Sequence, residues 1–366
     1  MTSAAQRVLL HAFSTFKLGG PQARFVQLAN AFGVRYRHVV MAMDGNYDAG
    51  DRLDPAVQWQ PLRLPVVRGG MLANRAAFRS ELRARRPDLL LSYNWGAIEW
   101  VAANLPGVVS RVHVEDGFGP EESIRQLPRR IWTRRVLLGM TRTPVVVASR
   151  HLERIARGVW KIPPDRVRFI ANGVATRPFD HLQARRGDGA RLTIGTVAGL
   201  RPEKNVARLI RAFRAVRARR EARLVIVGDG PERSTLEALA RQLGVNEDVT
   251  FAGYQTNPMQ WLESFDLFAL SSDTEQLPIS MLEAMACGVP VVATRVGDVP
   301  EIMPAVATGA LADPEDGAFA DTLQWAIERR SEWPRWVEAG YERLESQYKP
   351  ESMIAAWQRI FDGRWD

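Results

Sequence analysis

The sequence predicts an α/β fold in which two doubly wound, Rossmann-like domains follow each other along the chain. Short apolar runs of strand type alternate with helix-type periodicity throughout, which is typical of parallel sheets covered by helices. The strand-type runs are 8–10, 39–42, 89–91, 108–112, 145–148, 194–197, 224–227, 249–251, 265–270 and 291–293. A chain of 366 residues is long for one domain and sufficient for two, each with its own core.

Candidate domain boundaries lie where this periodicity stops. Between about 175 and 190 the chain passes through Arg177-Pro178 and the Arg-Arg-Gly-Asp-Gly stretch 185–189, which favour a linker. We therefore expect a first domain over 1–178 and a second over 190–345. The remaining stretch, 346–366, has apolar residues at helical spacing and predicts a helix over 351–361.

The charge of the chain is unevenly distributed. Residues 1–178 carry +14 (27 Lys and Arg against 13 Asp and Glu), and residues 179–366 carry −6 (22 against 28). A basic first half predicts an anionic partner. Nucleic acid is disfavoured because no helix-turn-helix pattern, zinc ligands or aromatic RNA-binding motif occurs. An anionic membrane surface or a phosphorylated lipid is the preferred interpretation.

The composition is that of an ordinary globular protein, with 46% hydrophobic and 25% charged residues. The one cysteine, Cys287, cannot form an intrachain disulfide and is compatible with a reducing compartment. The first apolar run is too short for a signal peptide, and no run of about 18 apolar residues predicts a membrane span. We expect a cytoplasmic protein whose basic half allows peripheral attachment to the inner face of a membrane.

The segment 272–294 is the most informative part of the sequence. Glu275 lies in the loop between the apolar run before it and a compact helical stretch that Pro278 opens. The N–H groups at the start of that helix, near Ile279 and Ser280, lack intrahelical acceptors. Such a helix start predicts a site for an anion such as phosphate.

Two carboxylates flank this predicted anion site. Glu283 lies about one helical turn beyond the N–H groups, and Glu275 lies on the loop before them. Carboxylates accept hydrogen bonds from vicinal hydroxyls but repel phosphate, so the pair suits a sugar-phosphate-sugar ligand. The alternative is a surface loop glutamate and an ordinary helical glutamate, which the spacing alone does not exclude.

Two further loops follow predicted strands of the second domain. Arg201 and Lys204 supply two positive charges that match a nucleotide-sugar diphosphate, although two solvated surface cations have the same pattern. Gly228 and Gly230 lie in a Gly-Asp-Gly-Pro turn, which alone is a weak signal. No Asp-x-Asp motif and no cluster of His and acidic residues predicts a metal ion.

The segment 272–294 resembles the E-x7-E motif of the retaining glycosyltransferases of family four, which have the GT-B fold, and includes the trailing Glu-Ala-Met-Ala-Cys-Gly-Val-Pro-Val-Val-Ala-Thr. It departs from the usual pattern at Gln276, where glycine is commonest. The loop 198–205, the turn 228–231 and the stretch 169–174 are also similar to motifs of this family.

The resemblance implies two domains that face each other across a cleft, with the nucleotide sugar on the second domain, the acceptor on the first and the C-terminal helix crossing back to the first. Glu275 is expected to position sugar hydroxyls and Glu283 to contact the ribose. Arg201 and Lys204 are expected to stabilise the leaving diphosphate without a metal ion. The remaining donor-binding candidates there are Gly228, Gly230, Pro278, Ile279 and Ser280.

Candidates in the first domain follow predicted strands as well. Gly19 and Gly20 form the glycine pair that in the family approaches the diphosphate and acceptor, although a simple turn would look the same. His113 follows the run 108–112, where the family has a histidine near the transferred sugar. A lone histidine there is more often structural. The acceptor-binding candidates are Asn94, Trp95, Glu115 and Asp116.

The arginine-rich stretch 124–138 also contains several apolar residues. It predicts a helix that lies on an anionic membrane surface or binds an acceptor phosphate. An ordinary helix packed on the sheet is the alternative.

Together these features predict a retaining, metal-independent hexosyltransferase that uses a UDP- or GDP-linked sugar and no cofactor. The expected acceptor is a glycan or lipid-linked acceptor, as in polysaccharide or cell-envelope glycoconjugate synthesis, and no nucleic acid partner is expected. Two alternatives stay open. One is a nucleotide-sugar epimerase or hydrolase with the GT-B fold, and the other is a nonenzymatic nucleotide- or nucleic-acid-binding protein.

Overall fold

The computed structural model describes residues 6–67, 70–122, 125–176 and 191–365. The chain divides into two compact units, one formed by Met1–Asn172 with Glu351–Asp366 and the other by Gly173–Pro350. The linker predicted between about 175 and 190 lies almost wholly outside the described residues. Each unit contains one parallel sheet, so the predicted class of two doubly wound α/β domains is confirmed.

The described residues of the first unit form a seven-stranded parallel sheet with the order β3-β2-β1-β4-β5-β6-β7. The strands are β1 Arg7–Phe13, β2 Tyr36–Ala42, β3 Gln58–Leu62, β4 Leu89–Tyr93, β5 Arg111–Glu115, β6 Val145–Val147 and β7 Val167–Phe169. The helices are α1 Gly20–Phe32, α2 Met71–Arg85, α3 Ile98–Ala103, α4 Pro128–Arg134 and α5 Arg150–Gly158. A single π-type turn, Arg135–Met140, continues α4.

The second unit has a six-stranded parallel sheet with the order β10-β9-β8-β11-β12-β13. The strands are β8 Leu192–Val197, β9 Ala222–Val227, β10 Val249–Gly253, β11 Leu267–Leu270, β12 Val291–Thr294 and β13 Leu311–Ala312. The helices are α6 Val206–Arg217, α7 Arg233–Gln242, α8 Met259–Leu262, α9 Ile279–Ala286, α10 Val299–Ile302, α11 Asp316–Glu328 and α12 Trp333–Gln347. Because β8 is parallel to its neighbours β9 and β11, the loops after these three strands lie at the same edge of the sheet.

Every predicted strand-type run overlaps an observed strand, but the run 108–112 is displaced. Val108 and Val109 are not in β5 because the Asn104 side chain binds their backbone. Its Oδ1 accepts from both N–H groups at 2.8 and 3.0 Å, and its Nδ2 donates to the Val109 carbonyl at 2.8 Å. The sequence reasoning missed β3, β7 and β13. The sequence of β3 mixes polar and apolar residues and the strand lies at a sheet edge, whereas β13 has two residues.

The helix predicted over 351–361 is confirmed as Pro350–Phe361, called the terminal helix below. Met353, Trp357, Ile360 and Phe361 are buried in the core of the first unit with residues of β1, β2 and α1. The Tyr36 hydroxyl donates to Asp362 Oδ1 at 2.6 Å just beyond the helix. The end of the chain is therefore part of the first unit.

Two buried histidines lie in this core. His11 Nε2 is 3.0 Å from His38 Nδ1, His11 Nδ1 is 3.1 Å from the Tyr93 hydroxyl, and both imidazoles are 0% exposed. Burial lowers the pKa of His38 from 6.5 to about 4. Burial, together with the repulsion that a protonated His38 would exert, lowers the pKa of His11 well below its ordinary value. Both side chains are therefore neutral in the folded protein at neutral pH.

We predict that these histidines make the free energy of unfolding fall as the pH drops from about 6.5 towards 4. In this window the unfolded chain takes up protons that the folded chain does not bind, so acid favours unfolding. His38→Gln should reduce the change of the free energy of unfolding with pH by at most about 1.4 kcal/mol per pH unit, which is the value for one proton. Urea unfolding across this range measures it, with the half-buried His151→Gln as the control. An unchanged slope in His38→Gln would contradict the assignment.

Candidate functional site

The loop after β8 carries the first predicted cations. Arg201 precedes the short turn Pro202–Lys204, and Asn205 follows it in a left-handed conformation with φ of 40°. The Asn205 side chain caps α6 by accepting from the Arg208 N–H at 3.2 Å. Arg201 Nε lies 3.0 Å from Glu203 Oε1, and 53% of the Arg201 side chain is exposed. Arg201 is thus an accessible cation, which among the described residues is held at one nitrogen.

Lys204 and Glu275 form an ion pair that the sequence did not predict. Lys204 Nζ lies 2.7 Å from Glu275 Oε1, and the Ser272 hydroxyl donates to the same oxygen at 2.7 Å. The two charged side chains are only 18% and 8% exposed. Among the described residues nothing binds Glu275 Oε2, so one carboxylate oxygen and further ammonium hydrogens stay available to a ligand.

Backbone contacts hold the two loops of this pair together. The Asp273 N–H donates to the Glu203 carbonyl at 2.9 Å, and the Ser271 hydroxyl donates to the Asn205 carbonyl at 3.0 Å. The Arg208 guanidinium lies 2.7 Å from the Asp273 carboxylate. The loops after β8 and β11 therefore behave as one structural element.

The turn after β12 supports Glu275 from another side. Gly297 has a φ of 54°, and a Cβ placed there would lie 2.2 Å from the Glu275 carbonyl oxygen. The Asp298 N–H donates to the Gln276 carbonyl at 2.9 Å, and the Thr294 hydroxyl donates to the Ser272 carbonyl at 2.6 Å. Only glycine fits this close approach at 297.

Gly228 and Gly230 have a packing role. A Cβ on Gly228 would lie 1.9 Å from the Ala198 carbonyl oxygen, and one on Gly230 would lie 2.4 Å from the Leu200 carbonyl oxygen. Gly228 also has a φ of 133°, which side chains rarely allow. These glycines let the turn after β9 press against the loop that leads to Arg201.

The predicted helix start is confirmed. Helix α9 begins at Ile279, directly after Pro278, and the Pro278 carbonyl accepts from the Met281 N–H at 3.1 Å. In the described structure no acceptor contacts the N–H groups of Ile279 or Ser280. Both side chains are half-buried, so these donors lie near the surface of the unit.

Glu283 differs from Glu275 in its surroundings. It is half-buried, and its carboxylate has no hydrogen-bond or ion-pair partner among the described residues. Burial raises its pKa from 4.5 to about 7. A carboxyl group that is protonated near neutral pH and unpaired is a feature typical of binding or catalytic sites.

In the first unit, Gly19 and Gly20 are exposed at the start of α1. Gly19 has an extended backbone that any residue adopts, and a Cβ on Gly20 would contact nothing within 4 Å. The fold does not require glycine at either position.

His113 lies in the middle of β5, so the prediction that it follows its strand is wrong; the displacement of β5 by Asn104 explains the error. Its imidazole is 0% exposed. Nδ1 is 2.9 Å from the Ser92 hydroxyl, and Nε2 is 3.4 Å from Glu115 Oε2. Although burial opposes ionisation of Glu115, Arg134 at 3.3 Å and His113 hold its pKa below the ordinary value.

The other acceptor candidates of the first unit also have internal contacts. Asn94 Oδ1 accepts from the Asp116 N–H at 2.7 Å, and the Arg24 guanidinium donates twice to the Asp116 carboxylate. Trp95 packs against the guanidinium groups of Arg130 and Arg134, which lie 4.9 and 5.1 Å from its ring centre. The structure thus joins Lys204 and Glu275 of the second unit in a direct ion pair. In the first unit Arg134 contacts both Glu115 and Trp95, whereas Asn94 and Asp116 form a second network with Arg24.

Two family models match the chain: that of the glycosyl transferases group 1 over residues 182–343, and that of glycosyltransferase family 4 over residues 18–177. The chain belongs to the group 1, family 4 glycosyltransferases.

Several members of this family are similar to the chain. It is 32% identical over 166 residues to the N-acetyl-alpha-D-glucosaminyl L-malate synthase of Bacillus anthracis, covering 45% of this chain and 44% of that protein. It is 38% identical over 158 residues to a GDP-mannose-dependent alpha-(1-6)-phosphatidylinositol monomannoside mannosyltransferase of Mycolicibacterium smegmatis, covering 40% of each. The chain thus spans about half the length, or less, of these relatives.

Solved structures extend the likeness to almost the whole chain. The structure of Anabaena Alr3699/HepE in complex with UDP has a TM-score of 0.80 at 19% identity and covers 98% of this chain and 100% of that one. At this identity the likeness concerns the fold. The GT-B fold expected for this glycosyltransferase is confirmed.

Among the described residues no group of three His, Cys, Asp or Glu side chains is arranged to hold a metal ion. No helix in the described part of this glycosyltransferase is long and apolar enough to cross a bilayer. The predicted membrane-surface stretch 124–138 is helical from Pro128, and Ile124 lies outside the described residues.

Sequence reasoning did not single out Ser272, Thr294 or Gly297, all of which support Glu275. The available signal was the Thr-Arg-Val-Gly-Asp turn directly after an apolar run, because glycine at the carboxyl end of a parallel strand often marks a close backbone approach. The Lys204–Glu275 pair had no such signal, since the two residues are far apart in the sequence.

We predict that Gly228→Ala destabilises this glycosyltransferase by about 2 kcal/mol or more, because the methyl group overlaps the Ala198 carbonyl and the backbone conformation becomes strained. The matched control is Gly317→Ala in α11, where a Cβ contacts nothing within 4 Å and alanine favours the helix. Thermal unfolding of both variants measures the difference. Equal melting temperatures would refute the packing role.

Proposed function

We propose that the protein is a retaining, metal-independent glycosyltransferase that moves a hexose-type sugar from a UDP- or GDP-sugar to a glycan or lipid-linked acceptor. The observation that carries the proposal is the Lys204–Glu275 ion pair between the loops after β8 and β11. Glu283, which has no partner among the described residues, lies in the helix that follows the second of these loops. The printed names of the relatives support a nucleotide sugar: the mycobacterial one uses GDP-mannose and the Anabaena structure contains UDP.

The cations of the site suit a diphosphate leaving group. Arg201 is half exposed, and in the described part of the chain two of its guanidinium nitrogens have no partner. Lys204 can donate to a phosphate oxygen while it keeps its bond to Glu275. The N–H groups of Ile279 and Ser280 add donors at the start of α9. Fixed positive groups of this kind stabilise charge that develops on the departing diphosphate.

The two carboxylates suit the two sugars of the donor. Glu275 Oε2 has no donor among the described residues and is proposed to accept from a hydroxyl of the transferred sugar, with Oε1 held by Lys204 and Ser272. Glu283 is proposed to accept from ribose hydroxyls, which favour its ionised form over the protonated one. Glu115 and His113 are proposed to act as positioning groups, because both side chains are fully buried.

The enzyme assignment is tested with the purified chain. A thermal-shift panel of nucleotide sugars identifies the donor, transfer to lipid-linked and soluble glycans is then assayed, and the anomeric configuration of the product is read by NMR. Retention with chelator present supports the proposal. Donor turnover to an epimer or to free sugar, unaffected by any acceptor, would favour the epimerase or hydrolase alternative.

We predict that donor affinity rises as the pH increases from about 6 to 8, through the raised pKa of Glu283 near 7. Below that pKa the carboxyl group carries a proton and is a poorer acceptor for ribose hydroxyls. Glu283→Gln should remove the pH dependence and weaken binding about tenfold at the higher pH. Calorimetry with the identified donor measures both effects, and exposed Glu342→Gln in α12 is the control. Identical pH profiles in wild type and Glu283→Gln would exclude the ribose role.

We further propose that the first unit attaches to an anionic membrane surface. Trp132 is 66% exposed on α4 and Met140 is 78% exposed on the following turn, with exposed Arg135 and Arg142 beside them in the sequence. Exposed aromatic and apolar side chains interleaved with arginines suit the interface of an anionic bilayer.

Trp132→Ala is expected to reduce co-sedimentation with vesicles of phosphatidylcholine and phosphatidylserine, because the indole no longer enters the interface. Binding to vesicles of phosphatidylcholine alone should be weak for every variant, since the arginines then have no anionic lipid. Tyr254→Ala, which removes an exposed aromatic residue (61%) of the second unit, is the control. Equal sedimentation of Trp132→Ala and wild type would argue against this surface.

A further inference from the structure

A cavity of about 650 Å³ opens at the carboxyl edge of the first unit's sheet. Its walls come from the loops after β1, β2, β3 and β4 and from the segment around α4, and they include Ser14, Asp44, Trp95, Glu99, Arg129 and Arg130. The volume is within the range of small-molecule sites. Of these residues the sequence had marked Trp95 and, within the arginine-rich stretch 124–138, Arg129 and Arg130, whereas His113, Glu115 and Asp116 do not line the cavity.

Glu99 is held in this cavity by a buried amide. Asn74 is 2% exposed, and its Nδ2 donates to Glu99 Oε2 at 2.7 Å and to the Val67 carbonyl at 2.9 Å. Its Oδ1 accepts from the Val67 N–H at 2.9 Å. Asn74 thereby fixes one oxygen of Glu99, and in the described structure no protein donor binds the other. A carboxylate oriented in this way is ready to accept from a ligand hydroxyl.

The floor of the cavity depends on Gly96. A Cβ at this position would lie 2.4 Å from the Ser14 Cβ, so only glycine lets the loop after β4 approach the loop after β1 this closely. The Ser14 hydroxyl has no partner among the described residues. Asp44 accepts from the Asn46 N–H at 3.0 Å and is otherwise exposed. The polar groups on this side of the cavity are therefore mainly acceptors.

The two arginines that line the cavity differ in their partners. Arg130 forms ion pairs with Glu121 and Glu122 and packs on Trp95, which neutralises its charge and fixes its position. Arg129 is exposed, and no carboxylate pairs with it in the part of the chain that the structure describes. The cavity thus combines acceptors for hydroxyls with one uncompensated guanidinium.

We propose that this cavity binds a sugar that carries an anionic group, a phosphate or a carboxylate. Glu99 and Asp44 accept from sugar hydroxyls, and Arg129 binds the anionic group through charge-assisted hydrogen bonds. The inference rests on the proposed glycosyl transfer for its biological meaning, since the bound sugar is then the acceptor. The binding itself depends only on residues of the first unit.

The test compares four probes by ligand-observed NMR on the full chain: glucose 6-phosphate, glucose, glucosamine and inorganic phosphate. All measurements are repeated in Lys204→Ala, which weakens anion binding in the second unit. Glucose 6-phosphate is expected to bind tightest and equally well in Lys204→Ala. Arg129→Gln should weaken it about tenfold and leave glucose within about twofold, as expected for loss of a charge-assisted hydrogen bond.

Two variants complete the design. Arg125→Gln removes one positive charge from the same basic stretch, but Arg125 does not line the cavity. The affinity of this variant for glucose 6-phosphate should therefore equal that of the wild type. Glu99→Gln keeps an oxygen for Asn74 and should weaken glucose and glucose 6-phosphate alike. Circular dichroism verifies that each variant is folded.

Any of five results would overturn the proposal: no binding of glucose 6-phosphate, glucosamine binding tighter than glucose 6-phosphate, inorganic phosphate binding equally tightly, loss of binding in Lys204→Ala, or no effect of Arg129→Gln. Arg129-dependent binding in a chain that binds no nucleotide sugar would keep this site and remove the proposed transfer reaction. Binding of a nucleotide sugar without binding of glucose 6-phosphate would keep the proposed transfer reaction and remove this site.

Discussion

The ion pair between Lys204 and Glu275 is the contact on which the site of the second unit depends. The two residues come from loops after β8 and β11, which are neighbouring strands in the sheet. Because both side chains are largely buried, removal of either one would leave an uncompensated charge. The Ser272 hydroxyl and the backbone bonds around Asp273 fix the same loops, so the geometry of the cations and of the carboxylate is set together.

The environments of Glu275 and Glu283 give the same residue type two different chemistries. Glu275 has a cation and a hydroxyl at one oxygen and is held in place before any ligand arrives. Glu283 has no partner in the described structure, and burial raises its pKa to about 7. Its carboxylate is therefore best stabilised by donors that a ligand supplies. Glu275 can therefore orient the ligand, whereas Glu283 is expected to lose its proton when ligand donors bind its carboxylate.

The sequence predicted the α/β class and the helix start at Pro278, because these depend on local periodicity and on proline chemistry. It could not predict the Lys204–Glu275 pair, since a contact between distant loops has no local signal. It placed His113 wrongly at the end of its strand because Asn104 captures the backbone of Val108 and Val109. The apolar residues of a strand-type run do not indicate that a nearby polar side chain will bind their backbone groups.

The first unit shows why a polar residue after a strand is a weak sign of a binding site. Glu115 and Asp116 lie at the end of β5, but each is matched by a buried arginine, Arg134 and Arg24, and so they stabilise the unit. Among the described residues that line the cavity, Arg129 and one oxygen of Glu99 have no protein partner, and both residues lie on helices. A ligand gains the most binding free energy from polar groups that the protein orients but leaves without a hydrogen-bond partner. Such groups form a new hydrogen bond with the ligand and do not have to give up one within the protein. Unpaired polar groups therefore locate the site better than strand ends do.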